Sequence, residues 1–298
     1  MPHLDGFGVM EQLKPVPGTD FLPVIVVTAF SDDKIRLKAL RQGARDYIVK
    51  PFVGEEVAQR IRNYLEVRLL YRERRRQSDM LKRFFSPQLA ERIVAGGVLD
   101  PMRPHRREIT AVFVDLLGFT AFTESTPPEE VMEVLHRYHA EMGQLIQRYE
   151  GTIEFFAGDG VMVIFNDPVE VPDHVERALR MALGMQEAFE RLAAGWRERG
   201  FELGVGIGIA RGEATIGAIG FEGRWDYGAI GSVTNLAARL CGEARPGQIL
   251  VQRKAVAPIE ARLQAVSLGE LRLKGFAQPV EVLEAKALRW PAAEPVAG

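Results

Sequence analysis

TIEFFAGDGVMVIF, residues 152–165, reads as two short apolar strands, TIEFF and VMVIF, closed by the tight turn AGDG. β-Branched and aromatic residues favour extended backbone, and glycine beside aspartate supplies the freedom that a hairpin turn needs. Working outward toward the N-terminus, Val131, Leu135, Tyr138, Met142, Leu145 and Tyr149 recur at helical spacing, and ITAVFVDL, residues 109–116, precedes them as an apolar strand. Thr126 and Glu129 around Pro127 form a capping-box pattern that would open this helix. On the other side, Asp173 and Glu176 repeat that pattern ahead of a long helix carried by Val175, Leu179, Ala182, Phe189 and Trp196, which Gly200 ends. ELGVGIGIA, residues 202–210, then alternates apolar side chains with glycine. The order strand, helix, hairpin, helix, strand is the βαββαβ plan of an α+β domain, with helices on one face of an antiparallel sheet.

Further out, residues 22–30 (LPVIVVTAF) read as a buried parallel strand, residues 31–44 as a helix stopped at Gly43, and residues 45–52 (RDYIVKPF) as a short strand ended by Pro51. That is α/β grammar. From Glu55 to Phe85 the chain is highly charged, with Val57, Ile61, Tyr64 and Leu65 at helical spacing and Met80, Leu81 and Phe84 prolonging an apolar seam. A linker helix able to form a short parallel coiled coil is expected, and it would favour dimers. The basic run at residues 72–76 reads as a solvated helix face ahead of a lipid or nucleic-acid patch. The organisation expected is residues 1–54, a linker helix and connector at 55–103, a second domain at 104–288, and a disordered tail at 289–298.

At 298 residues the chain has room for two modest cores, and 47% hydrophobic residues, 26% charged residues and a net charge of -2 give no reason to expect a nucleic-acid partner. Its apolar stretches fall well short of the roughly 20 residues that span a bilayer. No charged-then-apolar leader opens it. A cytoplasmic location without membrane contact is expected. The single cysteine, Cys241, fits a reducing compartment and a small packed side chain.

Asp115 closes the apolar run AVFVDLLGFT, where a carboxylate is costly to bury unless a cation compensates it. Asp159 sits in the AGDG turn, which the βαββαβ plan sets beside the end of the first strand, so the two carboxylates can converge. Magnesium suits such a pair, because it is commonly shared between one or two carboxylates and substrate phosphates. Taken singly, each aspartate fits a turn residue, a helix cap or a surface charge equally well. Asn235 and Arg239 lie four apart on a helix opened by Ser232 and share one face, while Leu236 and Leu240 serve another; a solvated polar face is the plain alternative. Lys274 ends LRLK before Gly275.

In order and spacing, FVDLLGFT (residues 113–120), FFAGDGVMVIF (155–165), GAIGSVTNLAARL (228–240) and LRLKGFAQPV (271–280) resemble the class III adenylate and guanylate cyclases, over about residues 104 to 285. The resemblance implies a ferredoxin-like catalytic domain in which Asp115 and Asp159 hold two Mg2+ (or Mn2+) ions that activate a ribose 3′-hydroxyl and bridge the triphosphate. It further implies that Asn235 orients the ribose, Arg239 meets charge on the α-phosphate and Lys274 grips the terminal phosphates. In the family the metal-binding aspartates come from one subunit and the other groups from its partner, so a homodimer carries two complete sites. ATP is favoured over GTP on family frequency alone. Phe155 and Gly228 occupy the base-facing positions, where adenylate cyclases usually carry lysine with aspartate or threonine, and guanylate cyclases glutamate with cysteine. Neither side chain can hydrogen-bond a base edge. The expectation is a relaxed substrate range or recognition by other groups, with Phe155 stacking on the base or both residues merely filling space. A catalytically silent nucleotide-binding dimerisation module is the second reading, and the joint presence of Asp115, Asp159, Asn235, Arg239 and Lys274 weighs against it.

Met1-Pro2 with Asp5-Gly6, then Thr28, then Lys50-Pro51 resemble the second half of a response-regulator receiver, a flavodoxin-like α/β domain of intracellular phosphorelay signalling. The resemblance sets the phosphorylated aspartate ahead of Met1. Either the start is truncated or the remnant is a scaffold; truncation is expected, because the switch residues Thr28 and Lys50 are both present, and a histidine kinase partner is expected only with a complete receiver upstream.

Overall fold

Alternation along the chain translates into strands whose two sides bury different partners. The computed structural model describes residues 6–13, 22–29, 33–81, 89–91, 93, 102–222 and 224–289, which fall into two units, Met1–Phe84 and Phe85–Gly298.

The first unit contains α1 (Gly6–Leu13), β1 (Ile25–Thr28), α2 (Asp33–Arg41), β2 (Asp46–Val49) and α3 (Gly54–Leu81). β1 and β2 pair in parallel, from Ile25 with Asp46 to Thr28 with Val49. Gly43, at φ 102°, lets the chain leave α2 where an L side chain would be strained. Met10, Ala39 and Ala44 form a small core with Phe7, Val24 and Val26. β1 is less buried than its sequence suggests: Val27, on the opposite side from that core, is 46% exposed. α3 runs unbroken from Gly54 to Leu81, and its exposed apolar residues lie on more than one side: Ile61, Leu65 and Leu69 share a face, whereas Val67 and Leu70 fall on the opposite one. Phe84 and the tail from residue 290 lie outside the described residues.

The second unit runs β3 (His105–Leu117), α4 (Phe119–Ser125), α5 (Pro128–Arg148), β4 (Thr152–Ala157), β5 (Gly160–Phe165), α6 (His174–Glu198), β6 (Gly204–Phe221), β7 (Arg224–Ile230), α7 (Ser232–Glu243), β8 (Gln248–Gln252), α8 (Arg253–Val256), β9 (Leu263–Leu271) and β10 (Val280–Leu288). Its sheet has the order β4-β5-β3-β6-β8-β10-β9, with β7 paired to β6 off that path. β3 is central, antiparallel to both β5 and β6, and β6 with β8 is a parallel pair in the otherwise antiparallel sheet. This is the α+β architecture with the expected βαββαβ core.

Helices cover both faces, not one. Val112, Val114 and Leu116 of β3 face α5 and α6 through Tyr138, Met142, Phe189 and Trp196. Ile109 and Ala111 face the other way, onto Val233, Leu236, Ala237 and Leu240 of α7. The glycine alternation in β6 accounts for the second layer. A Cβ on Gly208 would overlap the backbone of Ala237 and Cys241, so α7 lies directly on the strand. Burying a Phe or Leu side chain in either layer contributes roughly 1.5–3 kcal/mol.

Neither capping box forms. Thr126 ends α4, a short helix the sequence reading omitted, and Pro127 is the N-cap of α5 without a side-chain bond. At α6, Asp173 accepts from Arg177 Nε at 2.9 Å and Glu176 binds Arg180 and Arg262, so ion pairs occupy the carboxylates that would have capped the helix. Gly200 does end it, at φ 84°.

Candidate active site

Asp115 lies near the end of β3, just before Gly118 turns the chain into α4. Gly118 sits at φ 86°, and a Cβ there would come within 2.9 Å of the Glu202 carbonyl, so both conformation and space require glycine. The β4–β5 turn folds back onto this strand end: the position a Gly160 Cβ would take is 3.2 Å from Asp115 Oδ1. Asp159 in that turn closes on Asp115. Burial first, then the charge of Asp159 and a hydrogen bond shared with it, push the Asp115 carboxyl up to about 6.

The sequence expectation that Asp115 and Asp159 converge is thus met in one protomer. Among the described residues no group of three or more His, Cys, Asp or Glu side chains could hold a metal. Two carboxylates without a third ligand fit a cation that completes its shell with water and substrate oxygens, as Mg2+ does. The mutual repulsion that raises Asp115 is what a divalent ion between them would relieve.

The floor beneath the pair is packed. Tyr138 is fully buried, its hydroxyl has no hydrogen-bond partner among the described residues, and burial followed by the charges of Asp115 and Asp159 raises its pKa. Cys241 donates to the Gly206 carbonyl at 3.3 Å, and burial followed by the Asp115 charge pushes its thiol up to about 12. It is a packed, inert side chain.

Asn235 and Arg239 lie on the exposed side of α7 while Leu236 and Leu240 are buried. The helix opens at Ser232, as read from sequence, with Gly231 as its N-cap. Lys274 is exposed in a turn; β9 stops at Leu271, so it is not a strand-end residue. Within the protomer, the charge acting on Asp115 is that of Asp159.

At Phe155 and Gly228, the positions expected to face the base, the structure adds a neighbouring acid. β4 carries a register shift between Ile153 and Phe155, so Glu154 has no partner in the ladder to β5. Phe155 is 42% exposed and packs edge-on against Phe113, with centroids 6.0 Å apart. Glu154 reaches across to β7 instead: its Oε1 accepts from the Ala229 amide at 2.9 Å, and its Oε2 is buried without a partner among the described residues. Burial pushes this carboxyl up to about 7. Gly228 makes the room, because a Cβ there would fall 2.8 Å from Glu154 Oε1 and 2.5 Å from Ile219 Cδ1. The hydroxyl of the neighbouring Tyr227 donates to Asp167, which also meets His105 Nε2 at 2.9 Å and Arg107 Nε at 3.2 Å, so β7 is tied to the core of the sheet. Sequence reading missed Glu154, whose one signal is an acid inside the apolar strand TIEFF.

Residues 102–284 match the family model described as the adenylate and guanylate cyclase catalytic domain, and residues 1–62 match the response regulator receiver domain. An uncharacterised protein of Mycobacterium tuberculosis (strain ATCC 25618 / H37Rv) is 30% identical over 278 residues, covering 90% of this chain and 48% of that one. Adenylate cyclase 1 of Rhizobium meliloti (strain 1021) is 30% identical over 200 residues, covering 66% of this chain and 30% of its own length. The chain thus spans about half the first relative and less of the second. Of solved structures, the adenylyl cyclase CyaB from P. aeruginosa aligns at a TM-score of 0.61 with 32% identity, over 63% of this chain and 97% of that one. The guanylyl cyclase Cya2 aligns at 0.61 with 33% identity, over 64% and 98%.

Proposed function

This chain belongs to the adenylate and guanylate cyclase catalytic-domain family, and from that premise we propose that it closes a purine nucleoside triphosphate into its 3′,5′-cyclic monophosphate, with release of pyrophosphate, at composite sites of a homodimer. The convergence of Asp115 and Asp159 carries the reading, because two neighbouring carboxylates, with no third protein ligand among the described residues, form a seat for cations shared with a triphosphate. Cations bound there supply charge for the phosphates and acidify the 3′-hydroxyl.

The chain's own residues divide the remaining work. Asp115 and Asp159 anchor the cations at the strand end and the hairpin turn. From the second subunit, Asn235 orients the ribose, Arg239 spans oxygens of the α-phosphate with its planar fork, and Lys274 neutralises the terminal phosphates. The exposure of Asn235, Arg239 and Lys274 leaves them accessible to a partner that would complete the site. The receiver-like segment and α3 precede the catalytic domain, so a signal received there would act on how two catalytic domains meet. Family frequency places ATP first; Glu154 beside Gly228 is the specific observation that favours GTP.

The test is to incubate the purified chain with Mn2+ and each of ATP, GTP, CTP and UTP and identify products by mass spectrometry. A cyclic monophosphate that disappears in Asp115→Ala is the expected result. Nucleotide binding without any cyclic product would leave the silent dimerisation module standing.

A further inference from the structure

The two positions expected to read the base, Phe155 and Gly228, carry no group able to do so, yet the protomer holds an unused carboxylate oxygen between them. We propose that Glu154, displaced into this position by the irregularity in β4, is the residue that reads the base, and that it selects guanine. The inference rests on the cyclase reading and deepens it by naming the substrate.

Glu154 is fixed at one oxygen only. The Ala229 amide holds Oε1, which sets the plane of the carboxylate against β7, and leaves Oε2 as a buried acceptor. A brace between β4 and β7 needs no more than the first of these bonds. Burying the second oxygen without a partner costs stability that the protomer does not recover, so the geometry fits a donor arriving from outside. Burial pushes the carboxyl up to about 7, and paired N–H donors would bring it back toward its ionised form.

An ionised carboxylate only accepts hydrogen bonds. Guanine presents N1–H and N2–H2 side by side, two donors toward that acceptor. Adenine presents the lone pair of N1 beside N6–H2, so one of its groups faces the carboxylate acceptor to acceptor. A buried polar group left unpaired by the wrong substrate is the strongest source of rejection. The surroundings suit a flat base, because Phe155 and Phe113 give an apolar wall beside the acid. Ile219 lies across Gly228 and is 38% exposed, so a half-exposed side chain, not backbone, must turn aside to admit the base. Gly228 is then a spacing residue: any side chain there would drive into Glu154.

The full chain is assayed with Mn2+ and GTP or ATP as wild type, Glu154→Gln and Gly228→Ala. Gln keeps the acceptor for Ala229 but adds a donor, and Ala places a Cβ where only the ends of flexible side chains must yield. Wild type is expected to prefer GTP by at least about tenfold in kcat/KM, and both variants are expected to lose most of that ratio while turnover of ATP persists or rises. A wild-type preference for ATP, or equal losses for both nucleotides in Glu154→Gln, would overturn the assignment. If wild type cyclises nothing, the enzymatic reading fails on its own, and binding of the α,β-methylene analogues of GTP and ATP decides the role of Glu154. A binding ratio that falls in Glu154→Gln upholds it; an unchanged ratio refutes it.

Discussion

Oδ1 of Asp115 lies 3.2 Å from the point where Gly160 would carry a Cβ, so the hairpin turn and the end of β3 are as close as a glycine allows. A single methyl there requires a shift of a few tenths of an ångström, whereas a β-branched side chain has no such remedy. Gly160→Val is expected to lower cyclase activity by more than about tenfold through loss of cation binding, with the fold retained. Mn2+ titration by calorimetry, compared with circular dichroism of the same protein, checks it. Tight Mn2+ binding by the variant would contradict the placement of the site.

Cation binding should also respond to pH, and the sign follows from Asp115. Its carboxyl is raised to about 6 by burial and by Asp159, so below that pH it carries a proton that a cation must displace. Mn2+ affinity is expected to fall roughly tenfold per unit below pH 6 and to level off above pH 7. Asp159→Asn removes the like charge and should move the midpoint downward, even though affinity is weaker throughout. An unchanged midpoint would mean that burial alone sets it.

Much of the catalytic domain is legible in the sequence because its signals are local and periodic. The helical spacing that contains Tyr138 and Met142, the apolar run ending at Asp115 and the AGDG turn each specify an element, and the order of elements specifies which ends meet. Features that depend on competition between partners are not legible. Thr126 and Asp173 have the composition of caps, yet a preceding helix claims one and an arginine pair the other. The family resemblance puts Phe155 in the expected base position, and the register shift that sets Glu154 against β7 depends on pairing between strands, which the acid inside TIEFF alone does not reveal.

Shared sites predict complementation. Asp115→Ala would remove the proposed cation seat and Arg239→Ala the proposed phosphate clamp, so each homodimer is expected to be inactive. Random reassortment makes half of the dimers mixed, each with one intact site of two, which gives about a quarter of wild-type activity. Mixing the purified variants under demonstrated subunit exchange and measuring cyclic product tests this. An inactive mixture would place all groups of the site within one chain.

Stability should depend on the layer under α6. Phe189 is fully buried and packs edge-on against Trp196 with centroids 5.9 Å apart. Phe189→Ala is expected to cost about 3–5 kcal/mol in urea unfolding, since the helices around it cannot fully close the void. A loss under about 1 kcal/mol would show that the site relaxes.

Glu154 predicts a pH dependence that an ordinary strand glutamate lacks. Its carboxyl is raised from 4.5 to about 7 by burial, so the folded chain holds the proton more tightly than the unfolded one. The resulting stability is fully present below pH 4.5, declines as pH rises, and is lost above pH 7, amounting to no more than about 3 kcal/mol. Glu154→Gln cannot ionise and escapes the decline, while every other carboxyl contributes equally to both proteins. The difference in melting temperature between variant and wild type should therefore widen from pH 5 to pH 8 in favour of the variant. Parallel curves would show that the carboxylate finds a compensating partner in solution, and the argument for an oxygen held open for a base would lose its physical ground.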